Sequence, residues 1–286
     1  MTISTPLFTQ HSRSWRDNRF VYPVISRRSK GLSIGVNLNP DQACNFDCVY
    51  CSVDRTEKPT VRSVDLARVR AELNQLLELA VSGALWNEPP FDRTPPELRR
   101  LNDVAFSGDG EPTSYPGFGE ACRLAVELIR WHNAPAKVVV ITNATLLDRP
   151  EVQEALSFLD TVPSQIWAKL DAGTEDYYRL IERTKVPLKR VLDNLLLTAK
   201  ARPIVIQSMF LRYRGDAPSA AEIDAYLGRL RDLIAGGCRI SLVQVYTVAR
   251  STAEAEATPL NKLEIDAIVA QVRALSIPAE AYYGPG

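Results

Sequence analysis

From residue 33 onward, short apolar runs rich in Val and Ile alternate with amphipathic segments, and this alternation constrains the fold more than any other property of the chain. The runs are Ser33–Leu38, Asp103–Ser107, Lys137–Thr142, Gln165–Leu170, Pro203–Met209 and Arg239–Tyr246. Near-continuous apolar runs suit strands buried on both faces of a parallel sheet. Between them, helical spacing recurs: Leu66, Val69, Leu73, Leu76 and Leu77 mark the first helix, and Leu188, Val191, Leu192 and Leu195 the fourth. Six β/α units in series imply a parallel sheet with helices outside and right-handed crossovers. Six are too few for a closed eight-stranded barrel, so the expected fold class is α/β, a curved and partly open (β/α)6 barrel. Phe20–Val24 and Ala279–Tyr283 are expected to add edge strands.

Local signals support the boundaries. Ser219 with Glu222 reads as a capping box, and Gly236-Gly237 as the stop of the helix it opens. Thr258-Pro259 reads as a cap and N1 proline ahead of a helix carrying Ile265, Ile268, Val269 and Val272. Pro89, Pro90, Pro95 and Pro96 make residues 88–100 an extended loop before the second strand. No repeat or clear linker interrupts the 286 residues, which are read as a basic leader over 1–30 followed by one core domain with a short C-terminal extension over 31–286.

Ligands gather at the carboxyl ends of strands in parallel β/α architectures, and the polar clusters of this chain fall there. After strand one comes Cys44-Asn45-Phe46-Asp47-Cys48-Val49-Tyr50-Cys51; after strand two, Ser107-Gly108-Asp109-Gly110-Glu111-Pro112-Thr113. Thr142-Asn143, Lys169 with Asp171, Gln207-Ser208 and residues 244–250 end the other four. Three thiolates spaced C-x3-C-x2-C can hold three corners of a cubane iron–sulfur cluster and leave the fourth iron open to a small molecule. A zinc site normally takes a fourth protein ligand, and neither His11 nor His132 is near in sequence. Cys122 lies on an apolar stripe with Phe118, Ala125, Val126 and Ile129, so a buried core thiol is expected; Cys238 opens a strand and is read as structural.

Formal net charge is zero, which gives no global field toward nucleic acid or an anionic membrane. A local excess exists in Arg13, Arg16, Arg19, Arg27, Arg28 and Lys30 against Asp17 alone. Two readings stay open: a solvated arginine-rich leader, or an anion- or RNA-contacting edge beside the cysteine loop. No run has the length of a membrane span, and Met1–Gln10 lacks a secretory pattern, so a cytoplasmic location is expected.

Taken together, these motifs resemble the radical S-adenosylmethionine (SAM) superfamily over about residues 31–250. Its C-x3-C-x-aromatic-C motif is matched by Cys44, Cys48, Tyr50 and Cys51, and its glycine-rich motif by Gly108-Asp109-Gly110-Glu111-Pro112, with Asp109 interrupting the usual Gly-Gly-Glu. Gly35-Val36-Asn37-Leu38-Asn39-Pro40 and the Gly-x-Gly-Glu-Pro-Thr form look most like relatives of the wyosine-forming tRNA enzymes. The resemblance implies a partial barrel of the radical SAM type. It implies that Cys44, Cys48 and Cys51 are the catalytic metal ligands of a [4Fe–4S] cluster, and that SAM chelates the open iron and is cleaved reductively to a 5′-deoxyadenosyl radical that abstracts hydrogen. It further implies that Tyr50 lies beside adenine, that Gly108 and Gly110 admit the methionyl group, and that Glu111 orients its ammonium. Asn143 is implied to reach ribose, although Ala144 replaces a glycine there. Lys169, Asp171, Gln207 and Ser208 become ribose, carboxylate or substrate contacts.

A flavodoxin- or ferredoxin-type protein is the implied electron donor. The wyosine-forming enzymes carry a second cysteine trio, for which this chain has no counterpart, and no cysteine follows Cys238. A minimal single-cluster enzyme is therefore expected, acting on an RNA nucleoside or a small-molecule substrate. An activator that forms a glycyl radical in a partner protein, and a non-catalytic iron–sulfur electron carrier, are the alternatives.

Overall fold

The computed structural model describes residues 15–56 and 58–284. The early leader, including His11 and Arg13, lies outside the described residues. An eight-stranded sheet forms the centre, in the order β1 (Val21–Ser26), β2 (Gly31–Val36), β3 (Leu101–Phe106), β4 (Lys137–Thr142), β5 (Ser164–Lys169), β6 (Ile204–Met209), β8 (Ile240–Tyr246) and β10 (Ala279–Tyr282). Within this sheet only β1 runs antiparallel; each of its other strands pairs parallel with the next. All six expected core strands are present, most within two residues of the expected bounds. The sheet curls into a partial barrel, and the expected edge strands occupy its two ends.

Helices α1 (Leu66–Val81), α2 (Phe118–Trp131), α3 (Pro150–Leu159), α4 (Glu175–Glu182), α5 (Leu188–Ala201), α6 (Ala220–Ala235) and α7 (Lys262–Ala274) complete the crossovers. Their buried stripes and the outward-facing strand residues form one continuous core, in which Cys122 and Cys238 are buried. Burial of this continuous face, at roughly 25 cal/mol per Å2 of apolar surface, is the main favourable contribution to folding. The opposite face of the sheet is lined by a small separate group, Ala105, Val139, Trp167 and Val205, with Ile141 and Leu242 beside it. Strand residues therefore alternate between a helix-covered face and a lumen.

The described part of the leader is tied to the core. Glu72, buried on α1, accepts from the backbone amides of Arg19 (2.9 Å), Phe20 (2.8 Å) and Val21 (3.1 Å), and from Arg68 Nε (2.7 Å). One carboxylate thus starts β1. Its basic residues are dispersed rather than gathered on one edge. Arg16 pairs with Glu88 (3.0 Å), Lys30 pairs with Glu280 (2.9 Å), Arg27 donates to the Tyr283 carbonyl, and Arg28 lies over aromatic rings in the lumen. Lys30 and Arg27 sit at the β1–β2 turn, so these two contacts span the open seam of the barrel to β10 and its end.

Three local readings are corrected. Thr258 and Pro259 lie in a short strand, β9 (Ala257–Pro259), which pairs antiparallel with β7 (Leu211–Tyr213). Helix α7 starts later, capped by Asn261 with a reciprocal box to Glu264. Ser219 does cap α6 through the Glu222 amide, but the Glu222 carboxylate is drawn away to the Gly173 amide (2.5 Å) and the Thr174 hydroxyl (2.5 Å). Residues 88–100 contain two short 3-10 turns, Phe91–Arg93 and Pro96–Leu98, because Asp92 N, Thr94 N and Leu98 N find carbonyls three or four residues back.

Candidate active site

The strand ends surround a cavity of about 290 Å3 that opens into the lumen. Cys44, Cys48 and Cys51 all line it, with Tyr50, Gly108, Gly110, Glu111, Asn143, Lys169 and Gln207. The loop carrying the cysteines rests on the end of α4. The Asp47 amide donates to the Glu182 carbonyl (3.0 Å) and the Val49 amide to the Ile181 carbonyl (2.9 Å). A helix C-terminus leaves such carbonyls without partners of their own, and Arg183, in the left-handed region at φ 47°, ends the helix there. Thr184 Oγ1 donates to the Asn45 carbonyl (2.7 Å), and Phe46 meets Tyr178 edge-on at 5.8 Å.

The three thiols face one cavity without converging on one point. Among the described residues no three His, Cys, Asp or Glu side chains gather closely enough to hold a single metal ion. A mononuclear zinc site, with sulfur at about 2.3 Å from the metal, would need that convergence; a cubane needs its cysteines spread over three corners. Burial holds the thiols of Cys44 and Cys48 above the usual range, and the Glu182 carboxylate adds to the effect at Cys48. Arg55 Nη1 lies 3.3 Å from Cys51 Sγ and supplies positive charge at the same rim.

Under the loop lies a buried polar cluster that sequence reasoning only partly anticipates. The Tyr50 hydroxyl contacts the Asp171 carboxylate and Glu182 Oε1 (3.0 Å) and accepts from Lys169 Nζ (2.8 Å). Glu182 Oε2 also accepts from Cys48 Sγ at 2.6 Å. Desolvation, then the nearby Asp171 charge, pushes the Glu182 carboxyl well above the usual range. Glu182 was not among the expected site residues. Its one sequence signal is a carboxylate on the buried stripe of α4, in the residue directly before the left-handed stop at Arg183. Asp171 does not line the cavity; it braces Tyr50 from below and accepts from the Met209 amide (2.7 Å).

A second buried network joins strands β3 and β4. The Glu111 carboxylate accepts from Thr113 N (3.1 Å), Thr113 Oγ1 (2.5 Å), Thr142 Oγ1 (2.7 Å) and Asn143 N (2.7 Å). Burial raises its pKa, and the four donors oppose that shift. The Asn143 side chain donates to Asn45 Oδ1 (2.7 Å) and accepts from Thr145 N (3.1 Å) and Oγ1 (2.7 Å), which ties β4 to the cysteine loop. Ala144, where the family's glycine would stand, has φ 65° and carries the left-handed conformation that a glycine adopts without strain.

The glycine-rich turn also has a packing reason of its own. A Cβ on Gly108 would lie 2.3 Å from Asn37 Oδ1, and one on Gly110 would lie 2.0 Å from the Ala43 carbonyl. Both glycines are demanded by close packing of the turn against residues 37–43. Ser208 is also corrected: its hydroxyl lies 2.7 Å from Tyr226 on α6, on the helix-covered side of the sheet. Gln207, next to it, faces the lumen. Its Nε2 donates to Gln244 Oε1 (2.7 Å), while its own Oε1 is buried without a partner.

Known proteins share this architecture. A radical SAM methyltransferase from Sphaerobacter thermophilus superposes with a TM-score of 0.62 at 15% identity, covering 93% of this chain and 70% of that one. SuiB of Streptococcus suis, solved bound to S-adenosylmethionine, gives 0.58 at 12% identity over 90% of this chain and 52% of that one. By sequence, the chain is 31% identical over 174 residues to a UPF0026 protein of Methanocaldococcus jannaschii, covering 61% of this chain and 46% of that protein. It is 25% identical over 256 residues to a protein of Brachyspira hyodysenteriae named GTPase Obg, covering 88% of this chain and 33% of that one. The chain thus spans a third to a half of the length of these two relatives. The sequence profile of the Radical SAM superfamily matches residues 38–218, more than half of the chain. With that match on a partial barrel, the chain belongs to the radical SAM superfamily and is an enzyme whose cofactors are a [4Fe–4S] cluster and SAM.

Proposed function

We propose that Cys44, Cys48 and Cys51 hold the cluster and that a substrate seated in the lumen yields a hydrogen atom there. The observation that carries this reading is the convergence on one cavity of the three thiols, the Gly108–Glu111 turn and the Asn143, Lys169 and Gln207 side chains. When bound, the cluster and SAM supply one-electron cleavage of the sulfonium, for which the superfamily draws an electron from a donor protein. The residues of the chain bind, orient and enclose. Glu111, buried and held by donors from the end of β4, fixes that strand end and presents a carboxylate toward a cationic group of the cofactor. Tyr50, braced by Asp171, Glu182 and Lys169, sets the wall beside Cys48 and Cys51. Trp167, Tyr246 and Ile141 give the lumen an apolar wall that excludes water from a reactive radical.

A substrate within the lumen is favoured over one on a basic outer edge, because Arg16, Arg27 and Lys30 are engaged within the fold and Arg28 turns into the lumen. The test is anaerobic incubation with SAM and a reductant. The wild type should release 5′-deoxyadenosine, which an iron–sulfur carrier would not. Cys48→Ala should lose both the four-iron absorbance and SAM cleavage; a four-iron spectrum unchanged in that variant would sink the assignment.

A further inference from the structure

Arg28 stands out among the cations of the molecule. Its guanidinium lies 4.8 Å from the centre of the Tyr246 ring and 6.0 Å from that of Trp167. Both rings line the cavity, as does Arg28 itself. Among the described residues it donates no hydrogen bond and has no carboxylate within ion-pair distance, whereas Arg16, Arg55, Arg68 and Arg70 each have one. A cation–π contact uses no N–H donor of a guanidinium, which keeps them available as a planar fork suited to a carboxylate or phosphate. Those donors meet no acceptor among the described residues.

A second group beside it is also unsatisfied. Gln207 is fully buried, lines the cavity, and has no donor for its Oε1. It lies on β6, between β5, which carries Trp167, and β8, which carries Tyr246. An unfilled buried acceptor is destabilising unless a ligand or water meets it. The charge of the wall agrees. The chain as a whole is neutral, yet the cavity is lined by Arg27, Arg28, Arg55, Lys169 and Arg250 against Asp109 and Glu111 only. Glu111 is held by four donors, and of the cations Lys169 pairs with Asp171 and Arg55 with Asp47.

From these three observations we infer that the lumen holds an anion-recognising subsite centred on Arg28, and that the substrate is a small organic acid or phosphate ester. Its anionic group would meet the Arg28 fork between Trp167 and Tyr246. A hydroxyl or N–H of the same molecule would donate to Gln207 Oε1. Naming this ligand as the substrate rests on the proposed reading of the lumen as the place of hydrogen abstraction; the anion binding does not.

The test is isothermal titration of the purified chain with inorganic phosphate and, separately, with succinate, which distinguishes the two sources of anion. At least one should bind the wild type, and Arg28→Gln should weaken that binding tenfold or more. Arg28→Lys, which keeps the charge but loses the fork, should fall between them, and it covers the case in which Arg28→Gln does not fold. Thermal melts identify that case. Neither anion binding, or equal affinity in all three proteins, would overturn the inference. Displacement of the bound probe by stoichiometric tRNA would overturn the small-molecule assignment in favour of an RNA backbone. Cys48→Ala separates the two claims. It should lose the cluster absorbance and keep the anion affinity, so a wild type that never assembles a cluster refutes the catalytic reading without touching this one.

Discussion

The cysteine end of the cavity and the wall opposite it are both rich in polar side chains, but they differ in how those groups are satisfied. At the cysteine end nearly every donor and acceptor is met within the protein: Glu111 by four donors, Asn143 by Asn45 and Thr145, and Tyr50 by Asp171, Glu182 and Lys169. Across the lumen, among the described residues, Arg28 has only ring faces and Gln207 Oε1 has no partner. A saturated network is a frame, rigid before any ligand arrives. An unsaturated wall is costly until something fills it. Polar side chains therefore do opposite work at the two ends.

Three substitutions would break or sharpen this contrast. The largest effect is expected for Glu111→Ala, which leaves the buried Thr113 and Asn143 amides without an acceptor. A stability loss of about 3 kcal/mol is expected, read from chemical denaturation. A loss below about 1 kcal/mol would mean that the network is not a frame. Tyr50→Phe removes only the hydroxyl, and with it partners of Asp171 and Lys169. It should cost about 2 kcal/mol while cluster absorbance is retained; loss of the absorbance with stability unchanged would make Tyr50 part of the cofactor site and not of its support. Glu280→Gln removes the exposed ion pair to Lys30 at the seam. The change should be about 0.5 kcal/mol or less and smaller still in high salt. A larger shift in the melting midpoint would show that the lumen wall depends on its rim.

Legibility in the sequence followed the range of the interactions. The strands were readable because Val- and Ile-rich runs declare burial on both faces locally, and the polar strand ends followed from the architecture. The cysteine spacing is likewise local. What was missed depends on distant partners. Glu182 meets Cys48 from 134 residues away, and Glu72 meets the amides of residues 19–21 across more than 50. Both look like ordinary helix carboxylates in the sequence. Arg28 was read with its neighbours as part of a basic segment, because nothing local says that its side chain enters the barrel. Thr258-Pro259 was misread for a related reason. A cap-and-proline pair and the end of a short edge strand look alike until the pairing with β7 is known.

The seam joining the β1–β2 turn to β10 has a consequence for assembly. Arg27 and Lys30 reach partners more than 240 residues later in the chain. During synthesis, the first hairpin must wait for almost the whole sheet before these contacts can form. Parallel strands already make folding slow through their long loop closures. The side of the lumen next to the seam is thus the last to be completed, and until then the cavity stands open to solvent, oxidants and the components that load it.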